Sequence, residues 1–155
     1  MPTPLSALCF EDACHRLDEA SQDLRDSLAR AVPALADATW RHEKVRVKPE
    51  APDANGQRRR RGFGPRHKTE ARLGTADAET AWGVFSRISE RHDLTARRVP
   101  DEEDTLHRYH FTAASDAEDE VRCLIDLPGT WNIPAVSVGV FVGPRFRRDD
   151  PARTA

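Results

Sequence analysis

Phe10, Ala13, Cys14, Leu17, Ala20, Leu24 and Leu28 fall on one stripe at helical spacing, which predicts an amphipathic helix closed by Pro33. Its opposite face carries Glu11, Asp12, Asp18, Glu19, Asp23 and Asp26 with Arg16 and Arg25. A net acidic face disfavours a membrane-surface helix and suits one that covers a sheet. Ala78, Ala81, Trp82, Phe85, Ile88 and His92 mark a second helix, with Thr75 or Asp77 as its cap. Gly83 within it either weakens it by roughly 1 kcal/mol relative to Ala or admits a close neighbour.

The rest reads as strands. Residues 39–48 alternate irregularly, as expected near an edge or a bulge. Residues 49–67, with their Pro and Gly and a run of four arginines, are expected to form a mobile basic loop, and Thr69, Ala71 and Leu73 a short return strand. A four-strand meander is expected at about 95–99, 105–113, 121–127 and 135–142. Val121, Cys123, Ile125 and Leu127 share one face, as do Val136, Val138, Val140 and Val142, the period of a sheet with one covered face. In a meander the loops at 100–104 and 128–134 lie at one end and the 114–120 loop at the other. The expected whole is an α+β domain spanning 1–143, two amphipathic helices on one face of a mainly antiparallel sheet, followed by an Arg-rich polar tail at 144–155.

Composition narrows the class of protein more than its chemistry. Leu, Ile, Val and Phe number only 30 of 155 residues, so the core is modest. The 24 Lys and Arg against 26 Asp and Glu give a net charge of -2, which excludes a globally basic surface. Arg outnumbers Lys by 21 to 3, a coding bias of a GC-rich genome before it is a functional preference. No stretch reaches the roughly 18 apolar residues of a bilayer span. The N-terminal segment lacks the basic region and apolar run of a secretory signal, so a cytoplasmic location is expected. Cys9, Cys14 and Cys123 show no disulfide framework and read as reduced thiols.

Candidate chemistry is sparse. Residues 57–68 hold six fixed positive charges: Arg58, Arg59, Arg60, Arg61, Arg66 and Lys68, with Phe63 among them. Such density suits phosphate backbones, and an aromatic can stack on a base. A solvated open loop is the plainer account, and docking on an acidic protein is another. The acidic clusters Asp101 to Asp104 and Asp116, Glu118, Asp119, Glu120 match no EF-hand and are expected to be solvated turns. His107 and His110 stand three apart on a strand and so face opposite ways, which leaves no metal site to expect. Neither a Gly-x-Ser-x-Gly elbow nor a Gly-rich loop ahead of a helix is present, and no catalytic residue or cofactor is expected. The least ordinary loop is 128–134, where Trp131, Asn132 and Ile133 put large apolar groups in a turn. Trp on a stiff loop is a common binding anchor, although folding back onto the core is the plainer account.

The Ala-Trp-Gly-Val-Phe-Ser-Arg-Ile helix, the His-Arg-Tyr-His-Phe-Thr strand and the Ala-Val-Ser-Val-Gly-Val-Phe-Val strand lie in one order between Ala78 and Val142. That order resembles a domain of small actinobacterial envelope lipoproteins. The resemblance implies a helix-on-antiparallel-sheet fold and no catalytic residue. The expected function is a noncatalytic accessory protein, inhibitory or immunity-like, that engages a protein partner through Trp131, Asn132 and Ile133, with no membrane involved. The alternatives are nucleic-acid binding through Arg58 to Arg61 and Phe63, and a small-molecule enzyme with a pocket near His92.

Overall fold

The first apolar stripe forms α1 (Phe10–Ala31) and the second forms α2 (Thr75–Arg91) in a computed structural model that describes residues 3–44, 46–100, 107–129 and 133–149. Glu11 and Asp12 complement the N-terminal dipole of α1, and Pro33 prevents its continuation. The N-cap of α2 is Gly74 rather than Thr75. Asp77 acts from the third helical position, accepting the Gly74 N–H at 3.0 Å. Nothing lies within 4 Å of a Cβ built on Gly83, so no close neighbour explains that glycine.

Seven strands make one open sheet: β1 (Arg41–Glu43), β2 (Arg46–Pro49), β3 (Arg60–Thr69), β4 (Thr95–Val99), β5 (Arg108–Ala114), β6 (Glu120–Asp126) and β7 (Ala135–Arg145). The order is β1-β3-β7-β6-β5-β4, with β2 also on β3, and every pairing is antiparallel. The meander β4 to β7 and the α+β architecture follow the hydrophobic pattern. Both helices pack on the face that presents Val136, Val138, Val140 and Val142 of β7, together with Val121, Cys123 and Ile125 of β6. Under α2, Trp82, Phe85 and Phe111 meet at ring separations of 5.1 to 6.2 Å. Burying these large side chains supplies most of the driving force for a core of this size.

The main departure from the sequence reading lies at 60–67, which is strand rather than loop. β3 is ten residues long and hydrogen-bonds to β7 on one side and to β1 and β2 on the other. Its glycines read as loop formers, yet they are there for room. A Cβ on Gly62 would stand 2.1 Å from the Arg46 carbonyl oxygen, and one on Gly64 2.9 Å from Val140 Cγ1. The strand expected at 39–48 is divided in two. β1 and β2 share a single register on β3 and break opposite Gly64–Pro65, where proline has no N–H to give. Ala71 and Leu73 lie beyond the end of β3, and Leu73 turns into the core.

The tail departs from expectation too. β7 continues to Arg145, the Phe146 carbonyl accepts the Phe10 N–H at 2.9 Å, and the Arg148 N–H donates to Glu11 Oε2 at 2.7 Å. Residues 146–148 are thereby held against the start of α1; 150–155 lie outside the described residues, as do the loop segments 101–106 and 130–132.

Candidate functional site

Side chains alternate along a strand, so two residues three apart face opposite ways unless an extra residue intervenes. In β3 one does. The register on β7 shifts between Phe63 and Arg66, a bulge at Gly64–Pro65 that keeps both on the face away from the helices. Arg61 and Lys68 share that face by alternation from Phe63 and Arg66. Their cross-strand partners Lys48, Arg46, Glu43 and Arg41 join them from β1 and β2.

The result is a groove of about 470 Å³ on the open face. Its floor is small or apolar: Ser137 and Gly139 of β7, and Leu124 of β6. Phe63, 55% exposed, stands edge-on to Phe141 with ring centroids 5.5 Å apart. Lys44, Arg46, Arg66 and Arg122 form a basic rim, with Glu43 the one carboxylate among the lining residues. Arg122 is already engaged, bonded to Glu120 at 2.6 Å and lying 5.8 Å over the Phe141 ring. Arg61 pairs with Glu50 at 3.5 Å. Lys44, Arg46, Lys48, Arg66 and Lys68 have no ion-pair partner among the described residues.

The net charge of -2 conceals a separation. The two helices carry nine acidic residues against five Arg, whereas β1, β2 and β3 carry seven Lys and Arg against one Glu. Of the seven residues expected to contact nucleic acid, Arg61, Phe63, Arg66 and Lys68 lie on the open face. Arg60 does not, being partly buried opposite Arg145, and Arg58 and Arg59 precede the strand, with Arg59 6.0 Å over Phe146. Sequence reasoning missed Arg46, Arg122 and Phe141. The alternation of Arg46 with Lys48 was the only local signal for the first. The other two join through strand order, which no local pattern carries.

The acidic turn at 116–120 is not simply solvated. Asp119 is 0% exposed and pairs with Arg145, 6% exposed. Asp119 Oδ2 accepts from Arg145 Nη2 at 2.6 Å and from Ser115 Oγ at 2.8 Å, and Oδ1 accepts the Gly143 N–H at 2.9 Å. Arg145 Nη2 also donates to the Leu5 carbonyl at 2.8 Å. This pair ties β7, the β5–β6 turn and the N-terminal segment together, a structural role with few oxygens left for a ligand.

At the end of α2, His92 Nε2 lies 2.9 Å from Asp23 Oδ2, and Arg91 Nη1 is 3.2 Å from the same oxygen. Burial raises the Asp23 pKa, but the His92 hydrogen bond and the Arg91 charge outweigh it and hold the carboxyl below its ordinary range. A cleft of about 640 Å³ beside it joins the α2 end to the β5–β6 turn, with Ser6, Arg16, Glu19 and Asp116 on its walls. An enzyme at His92 needs such a space; the geometry at hand is an ionic clasp between α1 and α2. Burial pushes the Cys14 thiol up to about 11, helped by Glu11, and burial alone pushes Cys123 up to about 12, so neither is an activated nucleophile. Among the described residues no group of three His, Cys, Asp or Glu is placed to hold a metal. His107 precedes β5 with φ of 48°. Of the expected partner-binding loop, Ile133 is 72% exposed, and Trp131 and Asn132 lie outside the described residues.

The class defined here is an open-faced α+β protein: helices on one side of an antiparallel sheet, and an aromatic groove with a basic rim on the other. No family model and no curated protein matches the chain. Among solved structures it is similar to the crystal structure of a DUF4853 family protein from Actinomyces odontolyticus. The identity is 10% and the TM-score 0.44, over 86% of this chain and 70% of that one. No described helix is long and apolar enough to cross a membrane.

Proposed function

We propose that this chain is a noncatalytic binding protein that receives an anionic partner on the open face of its sheet. One observation carries the reading: Phe63 is exposed in a groove whose lining residues Arg46 and Arg66 have no ion-pair partner among the described residues. Guanidinium groups left without carboxylates are available to a ligand's oxygens, and an exposed ring beside them supplies apolar contact area. The test compares the wild type with the Phe63→Ala/Arg66→Ser variant as bait in host lysate. A partner retained at near-equal stoichiometry by the wild type and lost by the folded variant is expected. Equal retention by both overturns the reading.

A second reading, a protein partner held by the 128–134 loop, is favoured by Ile133, which exposes most of its side chain at the other end of β7 from Arg145. Apolar groups of that size on a turn are unusual without a contact to make. Ile133→Ser is then the variant that loses the partner, while Phe63→Ala retains it.

A further inference from the structure

We infer that the open face binds single-stranded nucleic acid, with one base against Phe63 in the groove and the phosphate backbone along the cations of β2 and β3. The inference rests on the binding-protein reading above and names its partner. Arg46 and Lys48 on β2, and Arg66 and Lys68 on β3, lie on one face and form no ion pair among the described residues, with Glu43, opposite Arg66, the one acidic residue of β1 to β3. Alternate residues of a strand are about 6.6 to 6.8 Å apart, so these cations form a spaced row rather than a point charge. A row of separated cations suits a chain of separated anions, and its counterions are released when the phosphates replace them.

The ring decides between polyanions. An acidic polypeptide would be satisfied by the cations alone. It gives no use to a Phe that stays 55% exposed with its ring centroid 5.5 Å from that of Phe141. Every nucleobase has a flat face to place there, and stacking of this kind tolerates any sequence. A groove of about 470 Å³ with Ser137 and Gly139 in its floor admits a flat group but not a duplex. Duplex grooves are entered by a protruding helix or ribbon, and the open face offers a recess instead. The acidic helices on the far side repel a polyanion and so help to orient it.

The experiment is fluorescence anisotropy of the full chain with labelled 20-nucleotide oligothymidylate and oligouridylate, the duplex of the same length, and labelled poly-L-glutamate. Single strands are expected to bind, with affinity falling about 50-fold between about 50 and 200 mM salt if four phosphates are neutralised. Phe63→Ala is expected to weaken binding on the order of tenfold. Arg66→Ser is expected to flatten the salt dependence by about one contact, and Arg87→Ser on α2 to change neither. Thermal unfolding of each variant separates lost binding from lost fold. Equal affinity for the duplex, or an unchanged affinity in a folded Phe63→Ala variant, overturns the inference. Binding of poly-L-glutamate but of no oligonucleotide, abolished by Phe63→Ala/Arg66→Ser, overturns the inference and leaves the binding-protein reading standing. If no probe binds the wild type at about 50 mM salt, the lowest of this titration, both fall.

Discussion

Phe111 and Phe63 stand on opposite faces of the same sheet. The first is fully buried against Trp82 and Phe85, and the second is 55% exposed between arginines. The arginines divide in the same way. Arg145 is buried with Asp119 and the Leu5 carbonyl, whereas Arg66 has no ion-pair partner among the described residues. Both depend on a register shift between β3 and β7, one between Arg60 and Gly62 and the other between Phe63 and Arg66. On the covered face Arg145 is matched to Asp119; on the open face Arg46 and Arg66 have no ion-pair partner among the described residues. On the proposed reading, stability and binding fall to different sides of the sheet, and substitutions can separate them.

The largest effect is expected where a partner is removed from the covered side. Asp119→Ala leaves the Arg145 charge buried and unpaired, which costs about 3–5 kcal/mol. Denaturant unfolding should show this as a midpoint shift at unchanged slope, and a loss under about 1 kcal/mol would mean that water reaches Arg145. Phe111→Ala is expected to cost a comparable amount, about 3–5 kcal/mol, through the cavity it opens beneath α2.

A smaller effect is expected from protonation at the boundary between the helix layer and β3. His67 Nε2, Asp18 Oδ1, Ser21 Oγ and Arg25 Nε are buried without a hydrogen-bond partner among the described residues, and His67 lies 4.0 Å from Asp18. Burial lowers the His67 pKa first, then the Arg25 charge and His42 across β1, while Asp18 opposes them. A histidine lowered in the fold binds fewer protons there than in the unfolded chain. Stability is therefore complete above the ordinary value of 6.5 and declines as pH falls toward the folded value. His110 adds the same sign, lowered by burial and by Arg122 despite Glu120. Unfolding measured at about pH 7.5 and about pH 5.5 should show lower stability at the acid end, and His67→Gln should reduce the difference. An unchanged pH profile in that variant would leave His110 as the source.

The helices and the meander were legible because burial on one face writes a period of 3.6 or 2 into the sequence, as Val136 to Val142 illustrate. β3 was not, since its glycines carry two meanings. Gly62 and Gly64 are glycine because Arg46 and Val140 approach too closely for a Cβ, not because the chain turns there. Asp119 and Arg145 are 26 residues apart, so an acidic turn and a basic tail gave no sign of being partners. The candidate site was half legible. Phe63, Arg66 and Lys68 stand out in sequence, but Arg46, Arg122 and Phe141 meet them only through the order β2-β3-β7-β6.

The smallest expected effect is the sharpest test of the division between faces. Phe63→Ala removes a ring that is 55% exposed and meets Phe141 on the open face, so its truncation opens no cavity in the helix-covered core. Arg66→Ser removes a charge that has no ion-pair partner among the described residues. Substitutions away from buried contacts usually change stability by about 0.5 kcal/mol or less, and each of these is expected to stay near that range. The loss of the Phe141 contact sets the sign for Phe63→Ala, while Arg66→Ser gives up both repulsion from Arg46 and attraction to Glu43, which line the same groove, so its change lies nearer zero. Added salt screens both, so any change from Arg66→Ser should shrink between about 50 and 500 mM salt. A loss of about 2 kcal/mol or more in either variant would mean that the open face is covered by something in the folded protein and belongs with the core.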